Sequence, residues 1–232
     1  MIFKQLFDEK SHTYTYMLSS GKGREALIID PVIEKTNEYL KILKSLELKL
    51  VKVIDTHIHA DHVSALNELN KKTKCTRIMG DKSPSEVIDI RVKDNEKIKI
   101  ENIELTSIYT PGHTKCSYSF LMKDRVFTGD TLLINGTGRT DFQGGNTKDQ
   151  YESIFNVLLK LPEETIVYPA HDYNGKKSSS IFNEKKNNPR LQVSSFNEYE
   201  EIMNNLKLDR PKMMDYNVPA NVKGLTSNQL KT

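Results

Sequence analysis

Alternating apolar and polar positions predict strands along most of the first two thirds of the chain. In residues 13–18, Tyr14, Tyr16 and Leu18 share one parity, which is the period of a half-buried strand. Other short runs are rich in β-branched and apolar residues and end at turn-forming residues. The predicted strands are residues 3–7, 13–18, 26–29, 48–54, a pair within 98–108, 117–122, 126–128 and 165–168.

Three stretches have helical spacing instead. Residues 36–46 and 151–161 repeat apolar side chains every three or four positions, and the second stretch stops at Pro162. Ser195 and Glu198 have the spacing of an N-terminal capping box, which predicts a last helix through Asn204. The order is mostly strands with interspersed helices, in two rough halves.

This order favours a layered α/β sandwich over a doubly wound sheet, because no GxGxxG follows the first strand. A length of 232 residues allows one large domain. We expect a single domain over residues 1–232, with a short helical extension from about residue 175.

Composition excludes several classes of protein. Lys plus Arg number 34 and Asp plus Glu 31, a net charge of +3, which is too small an excess to indicate a nucleic-acid partner. No apolar run approaches the roughly 18 residues that span a membrane. Two cysteines cannot form a disulfide framework, so we expect a reduced, cytoplasmic compartment.

Histidines and aspartates cluster directly after the predicted strands. One loop holds His57, His59, Asp61 and His62, and further strands lead to three more side chains, His113, Asp130 and His171. A lone loop histidine is usually just solvated or hydrogen-bonded. Three histidines and an aspartate within six residues are instead typical of a metal site. Seven potential ligands, taken by number alone, suggest two metal ions.

The same residues resemble a known family. Thr-His57-x-His59-x-Asp61-His62, Pro-Gly-His113, Gly-Asp130 and Ala-His171 occur in the order typical of the metallo-β-lactamase fold. The resemblance implies an αβ/βα four-layer sandwich with its metal at the strand ends.

A narrower resemblance is to the persulfide dioxygenases, the ethylmalonic encephalopathy protein family. It rests on four segments: Phe-Thr-Gly-Asp-Thr-Leu-Leu-Ile at 127–134, Gly-Arg-Thr-Asp-Phe-Gln at 138–143, Tyr-Pro-Ala-His-Asp-Tyr-Asn-Gly at 168–175 and Asn-Pro-Arg at 188–190. It covers nearly the whole chain. It implies an enzyme that oxidises glutathione persulfide with O₂, giving sulfite and glutathione.

The resemblance also implies one Fe(II) per chain, held by His57, His113 and Asp130. The four remaining side chains would orient these ligands or hold a second metal; they are His59, Asp61, His62 and His171. Proton transfer is expected from three residues, Asp61, His171 and Tyr173.

Because glutathione carries two carboxylates, we expect basic side chains to bind the substrate. Arg139 and Arg190 match arginines of the family, and Tyr173 is a further candidate contact. An internal salt bridge to Asp141 is an equally weighted alternative for Arg139, and Arg190 and Tyr173 could each be structural. The persulfide would come from a sulfurtransferase or a sulfide:quinone oxidoreductase, and a homodimer stays open.

Two other functions remain as alternatives. A thioester hydrolase like glyoxalase II would use a dinuclear metal site. A metal-binding module without catalysis is the third hypothesis.

Overall fold

Two six-stranded sheets form the centre of the protein. The structure, a computed structural model, describes residues 1–231. The first sheet has the order β1-β2-β3-β4-β5-β6, and its strands are β1 (Ile2–Asp8), β2 (Thr13–Ser19), β3 (Glu25–Ile29), β4 (Lys49–Ile54), β5 (Thr76–Gly80) and β6 (Ile90–Val92). Strands β1 to β3 pair antiparallel, and β3 to β6 pair parallel.

The second sheet is mostly antiparallel, with one parallel pair between β10 and β13. Its order is β14-β13-β10-β9-β8-β7. Its strands are β7 (Lys97–Ile100), β8 (Ile103–Tyr109), β9 (Tyr118–Leu121), β10 (Arg125–Gly129), β13 (Ile166–Pro169) and β14 (Ser179–Ser180), and a small hairpin follows β10 as β11 (Leu132–Leu133) and β12 (Gly136–Thr137).

Six α-helices are described: α1 (Thr36–Ser45), α2 (Leu66–Thr73), α3 (Thr147–Tyr151), α4 (Ile181–Asn187), α5 (Phe196–Asn204) and α6 (Met214–Lys223). Short 3₁₀ turns lie at Ile33–Lys35, Leu158–Lys160 and Gln229–Lys231, and Glu152–Val157 is a wide π turn. Within the part of the chain that is described, no helix is long and apolar enough to cross a membrane.

Three apolar layers hold these elements together. Aromatic side chains such as Tyr16 and Phe127 pack between the two sheets. Helices α1, α2 and α6 pack on the outer face of the first sheet, while α3 to α5 and the turns after α3 cover the second. The layers are therefore helix, sheet, sheet, helix, which confirms the predicted four-layer sandwich.

The last predicted helix is confirmed, because α5 begins after Ser195, whose hydroxyl accepts from the Glu198 amide. The helix predicted at residues 151–161 begins earlier: α3 starts after Asn146, whose side chain accepts from the Asp149 amide. The first turn of α3 is polar, so the pattern of apolar residues does not indicate where the helix begins. Three helices follow residue 175, and the division into one domain with an extension stays a prediction.

Tyr16 ties the two sheets together near the end of β13. Its ring is buried between them, and its hydroxyl donates to the Pro169 carbonyl at 2.5 Å. We expect Tyr16→Phe to lower the free energy of unfolding by about 1–3 kcal/mol, because the carbonyl keeps its burial and loses a donor. Urea unfolding measures this. The exposed Tyr216→Phe is the matched control, and equal small losses in both variants would contradict the assignment.

Candidate metal centre

Four strand ends bring the histidines and aspartates to one place. Strand β4 of the first sheet leads into the loop with His57, and β8 of the second sheet leads to His113. Asp130 directly follows β10, and His171 lies two residues after β13. Strands β8, β10 and β13 run in the same direction, so their carboxyl ends lie at one edge of the sheet.

The predicted ligands His57, His113 and Asp130 come together. Each offers one ligand atom, and these atoms all lie within 4.8 Å of one another. Nε2 of His113 lies 3.6 Å from Oδ2 of Asp130. Gly112 allows the tight approach of this loop to Gln150, since its φ is +133° and an added Cβ would lie 2.3 Å from the Gln150 backbone.

Hydrogen bonds define which ring nitrogens are free. The Thr56 hydroxyl donates to Asp30 at 3.0 Å, so it accepts from Nδ1 of His57 at 2.9 Å. Nδ1 of His113 donates to the carbonyl of Arg139 at 2.8 Å. Both histidines therefore present a bare Nε2, which is the atom a metal ion needs.

Charge also suits a metal ion. Burial, and then the neighbouring His59, hold the pKa of His57 well below its usual range, so the ring is neutral. Burial alone would raise the pKa of Asp130, but its charge interaction and hydrogen bond with His171, and then His113, hold it well below the usual value. The neutral ring of His57 beside the ionised Asp130 fits a divalent cation.

His59 has a different environment from His57. Its Nε2 lies 3.2 Å from Asp30, and although burial opposes the charged form, Asp30 raises the pKa of His59 to about 9. Among the described residues, Nδ1 of His59 and Nε2 of His62 are buried without a hydrogen-bond partner. Such ring nitrogens are typical of a site that a metal ion or ordered water completes.

The other candidates for a second metal form a hydrogen-bonded network. His171 contacts two carboxylates, with Nδ1 at 2.6 Å from Asp130 and Nε2 at 2.9 Å from Asp61. Nδ1 of His62 also contacts Asp61, at 2.7 Å. His59, Asp61 and His62 have ligand atoms within 4.8 Å of one another, and His171 lies outside that set.

A cavity of about 720 Å³ opens beside these residues, within the size range of small-molecule sites. Arg139, Tyr173 and Arg190 line it, as do residues 208–213. The guanidinium of Arg139 makes two bonds to Asp141, at 2.6 and 2.7 Å, which is the structural alternative left open by the sequence. Tyr173 is 67% exposed beside His171.

Sequence reasoning missed two residues that support the metal loop. Asp30 directly follows β3 and accepts from the Thr56 amide at 2.7 Å, and its positive φ of 51° shows that the chain turns there. Asn221 of α6 donates to the carbonyls of His59 and His62, both at 2.9 Å, and accepts from the Ser64 amide at 2.8 Å. Asp30 follows a strand, as Asp130 does, and this position is the signal that could have found it. No residue near Asn221 in the sequence indicates its contact with the loop that holds His59 and His62.

Comparison with known proteins agrees with this geometry. A profile of the metallo-beta-lactamase superfamily matches residues 10–94 and 81–171, which defines the class of protein. The crystal structure of ETHE1 from Myxococcus xanthus is 44% identical, with a TM-score of 0.93, over 96% of this chain and 98% of that one.

Comparison with individual proteins shows which family within this superfamily the chain resembles. Persulfide dioxygenase ETHE1, mitochondrial, of Mus musculus is 38% identical over 226 residues, 96% of this chain and 88% of that protein. Hydroxyacylglutathione hydrolase of Dictyostelium discoideum is 32% identical over 173 residues, 70% of this chain and 63% of that protein. The chain belongs to the metallo-beta-lactamase superfamily and, within it, to the persulfide dioxygenase family, which confirms the predicted resemblance. The fold and the His/Asp groups together indicate a metal cofactor.

Asn221 gives a direct test of how the metal loop is supported. We expect Asn221→Asp to weaken metal binding by about 10–100-fold, because it removes the amide donor to the two loop carbonyls. Competition with a metal-sensitive dye measures the affinity.

Asn70→Ala is the matched control, since Asn70 donates to the Cys75 carbonyl at 2.7 Å, away from the metal loop. Equal affinities in Asn221→Asp, Asn70→Ala and the wild type would contradict this role.

Proposed function

We propose that this protein is an iron-dependent persulfide dioxygenase that converts glutathione persulfide, O₂ and water to sulfite and glutathione. The observation that carries the proposal is the convergence of His57, His113 and Asp130 beside an open cavity. Two histidines and one carboxylate with free positions are typical of non-haem Fe(II) oxygenases. The relatives named persulfide dioxygenase support the same reaction.

The reaction balances without a further reductant. GSSH, O₂ and H₂O give GSH and H₂SO₃: the S–S bond breaks, three S–O bonds are present in the product, and four electrons pass from sulfur to O₂. Ferrous iron, held by Nε2 of His57 and His113 and by Asp130, would supply the one-electron chemistry that amino-acid side chains lack. The bare Nε2 atoms and the ionised carboxylate support one such ion per chain.

The network beyond these three ligands would hold protons and position Asp130. His171 bridges Asp130 and Asp61, and these carboxylates raise the pKa of His171 well above its usual value, although burial opposes the charged form. We propose that Asp61 and His171 hold the proton that the departing glutathione sulfur needs. The ring of Tyr173 stacks beside His171, with 6.3 Å between ring centroids, and is proposed to border the substrate.

Arg190 is the stronger candidate for binding a substrate carboxylate. Its guanidinium donates to the Thr137 carbonyl and hydroxyl, and no ion pair in the described part of the chain includes it. Burial lowers the pKa of Arg190, so a carboxylate in the cavity would compensate a poorly solvated cation. Arg139 is the weaker candidate, because it is paired with Asp141, donates to the Asp209 carbonyl at 2.6 Å and lies over the Phe142 ring.

Cytoplasmic location and the upstream partner also remain proposals. Cys75 and Cys116 are both buried and free, which suits a reducing compartment. A sulfurtransferase or a sulfide:quinone oxidoreductase would supply the persulfide, and a homodimer stays a prediction.

The activity is tested with an oxygen electrode on anaerobically loaded enzyme. We expect O₂ uptake that depends on glutathione persulfide, with one sulfite formed per O₂. His113→Ala should lose both iron and O₂ uptake, because only one histidine and one carboxylate of the group remain.

Hydrolysis of a glutathione thioester without O₂ uptake would instead favour the dinuclear hydrolase. Full iron content and full activity in His113→Ala would contradict the ligand assignment.

Arg190→Met tests the carboxylate contact. We expect KM for glutathione persulfide to rise about tenfold or more, since a hydrogen bond to a charged group contributes about 1.5–3 kcal/mol. Steady-state O₂ uptake measures KM and kcat separately. Arg24→Met, at an exposed position, is the matched control, and an unchanged KM in Arg190→Met would exclude the contact.

A further inference from the structure

Thr13 lies among the side chains that a second metal would need. Its hydroxyl is 2.9 Å from Oδ2 of Asp61, 3.3 Å from Nδ1 of His62 and 3.1 Å from Nε2 of His171. The residue is fully buried. One hydroxyl thus contacts three candidate ligands that come from two different loops.

The backbone fixes Thr13 in this position. It is the first residue of β2 and pairs with Asp8 of β1, and it forms an isolated bridge with His171. The next amide, of Tyr14, donates to the Ala170 carbonyl at 2.7 Å. Ser11 adds a hydroxyl contact to Thr13 at 2.8 Å and donates to Asp8 at 2.8 Å. The hydroxyl therefore cannot leave the network by a simple shift of a loop.

The contacts use up the lone pairs of one carboxylate oxygen. Oδ2 of Asp61 receives the Thr13 hydroxyl at 2.9 Å, the His62 ring at 2.7 Å and the His171 ring at 2.9 Å. A carboxylate oxygen offers about two lone pairs. The other ring nitrogen of His171 is held by Asp130 at 2.6 Å. A second metal would have to replace several of these bonds at once.

We propose that the Thr13 hydroxyl keeps this centre mononuclear, by holding Asp61 and His171 in a hydrogen-bonded arrangement instead of a metal-binding one. Among the described residues, Nε2 of His62 has no hydrogen-bond partner, so a second ion is excluded through Asp61 and His171 and not through His62. This inference rests on the proposed one-metal site and adds a residue that sets metal stoichiometry. His171, which also contacts Asp61, then positions the first metal's ligand Asp130, and neither His171 nor Asp61 binds a metal itself.

The test is a Co(II) titration of metal-free protein, followed by visible absorption and by metal analysis after desalting. Wild type and Thr13→Ser, which keeps the hydroxyl, should each reach an end point at one Co(II) per chain. Thr13→Val, which keeps the shape and loses the hydroxyl, should bind a second Co(II). Thr36→Val is the matched control, because it removes a buried hydroxyl whose partner is the Ile33 carbonyl.

The outcomes separate this inference from the proposed function. If wild type and a folded Thr13→Val both bind one Co(II), the role of Thr13 is wrong and the one-metal site stands. If wild type itself binds two, the one-metal site is wrong as well. Circular dichroism checks folding. If Thr13→Val fails to fold, Thr13→Ala, which also lacks the hydroxyl, is titrated with Co(II) in its place.

Discussion

The site depends on the burial of charged carboxylates among histidines. An ionised carboxylate taken out of water is costly unless hydrogen bonds and opposite charge compensate it. Asp30 finds that compensation in the Thr56 amide and hydroxyl and in His59. Asp61 and Asp130 share the ring of His171. These pairs determine which way each ring faces, and so which nitrogen atoms are left for a metal.

Each of the two sheets supplies part of the proposed metal site. The first sheet supplies the loop with His57 and, through the end of β3, the aspartate that holds it. The second sheet supplies His113, Asp130 and His171 from strands that run the same way. Helix α6 closes the arrangement from outside, because Asn221 binds the loop's backbone. The proposed ligands are therefore placed by strand ends of the two sheets, whereas the cavity beside them is lined by loops and by the β11–β12 hairpin.

Much of the fold and site could be predicted because its signals are local. Strand periodicity and the cluster after β4 are visible within a few residues, and the predicted ligands do converge. The contacts of Thr13 with Asp61 and of Asn221 with His59 join residues 48 and 162 positions apart, so no local pattern could indicate them. The start of α3 was missed because its first turn is polar. The pairing of Arg139 with Asp141, two residues away, was one of the two roles predicted for Arg139, and the structure shows this pair.

X-ray absorption of the iron-loaded protein at the iron edge tests the central claim most directly. We predict one iron per chain, with nitrogen or oxygen ligands at about 2.0–2.2 Å. The spectrum should show scattering from two imidazole rings and no metal–metal scattering. A metal neighbour at about 3.5–4 Å, or three imidazole ligands on one iron, would contradict the assignment of His57, His113 and Asp130 as the complete protein ligand set.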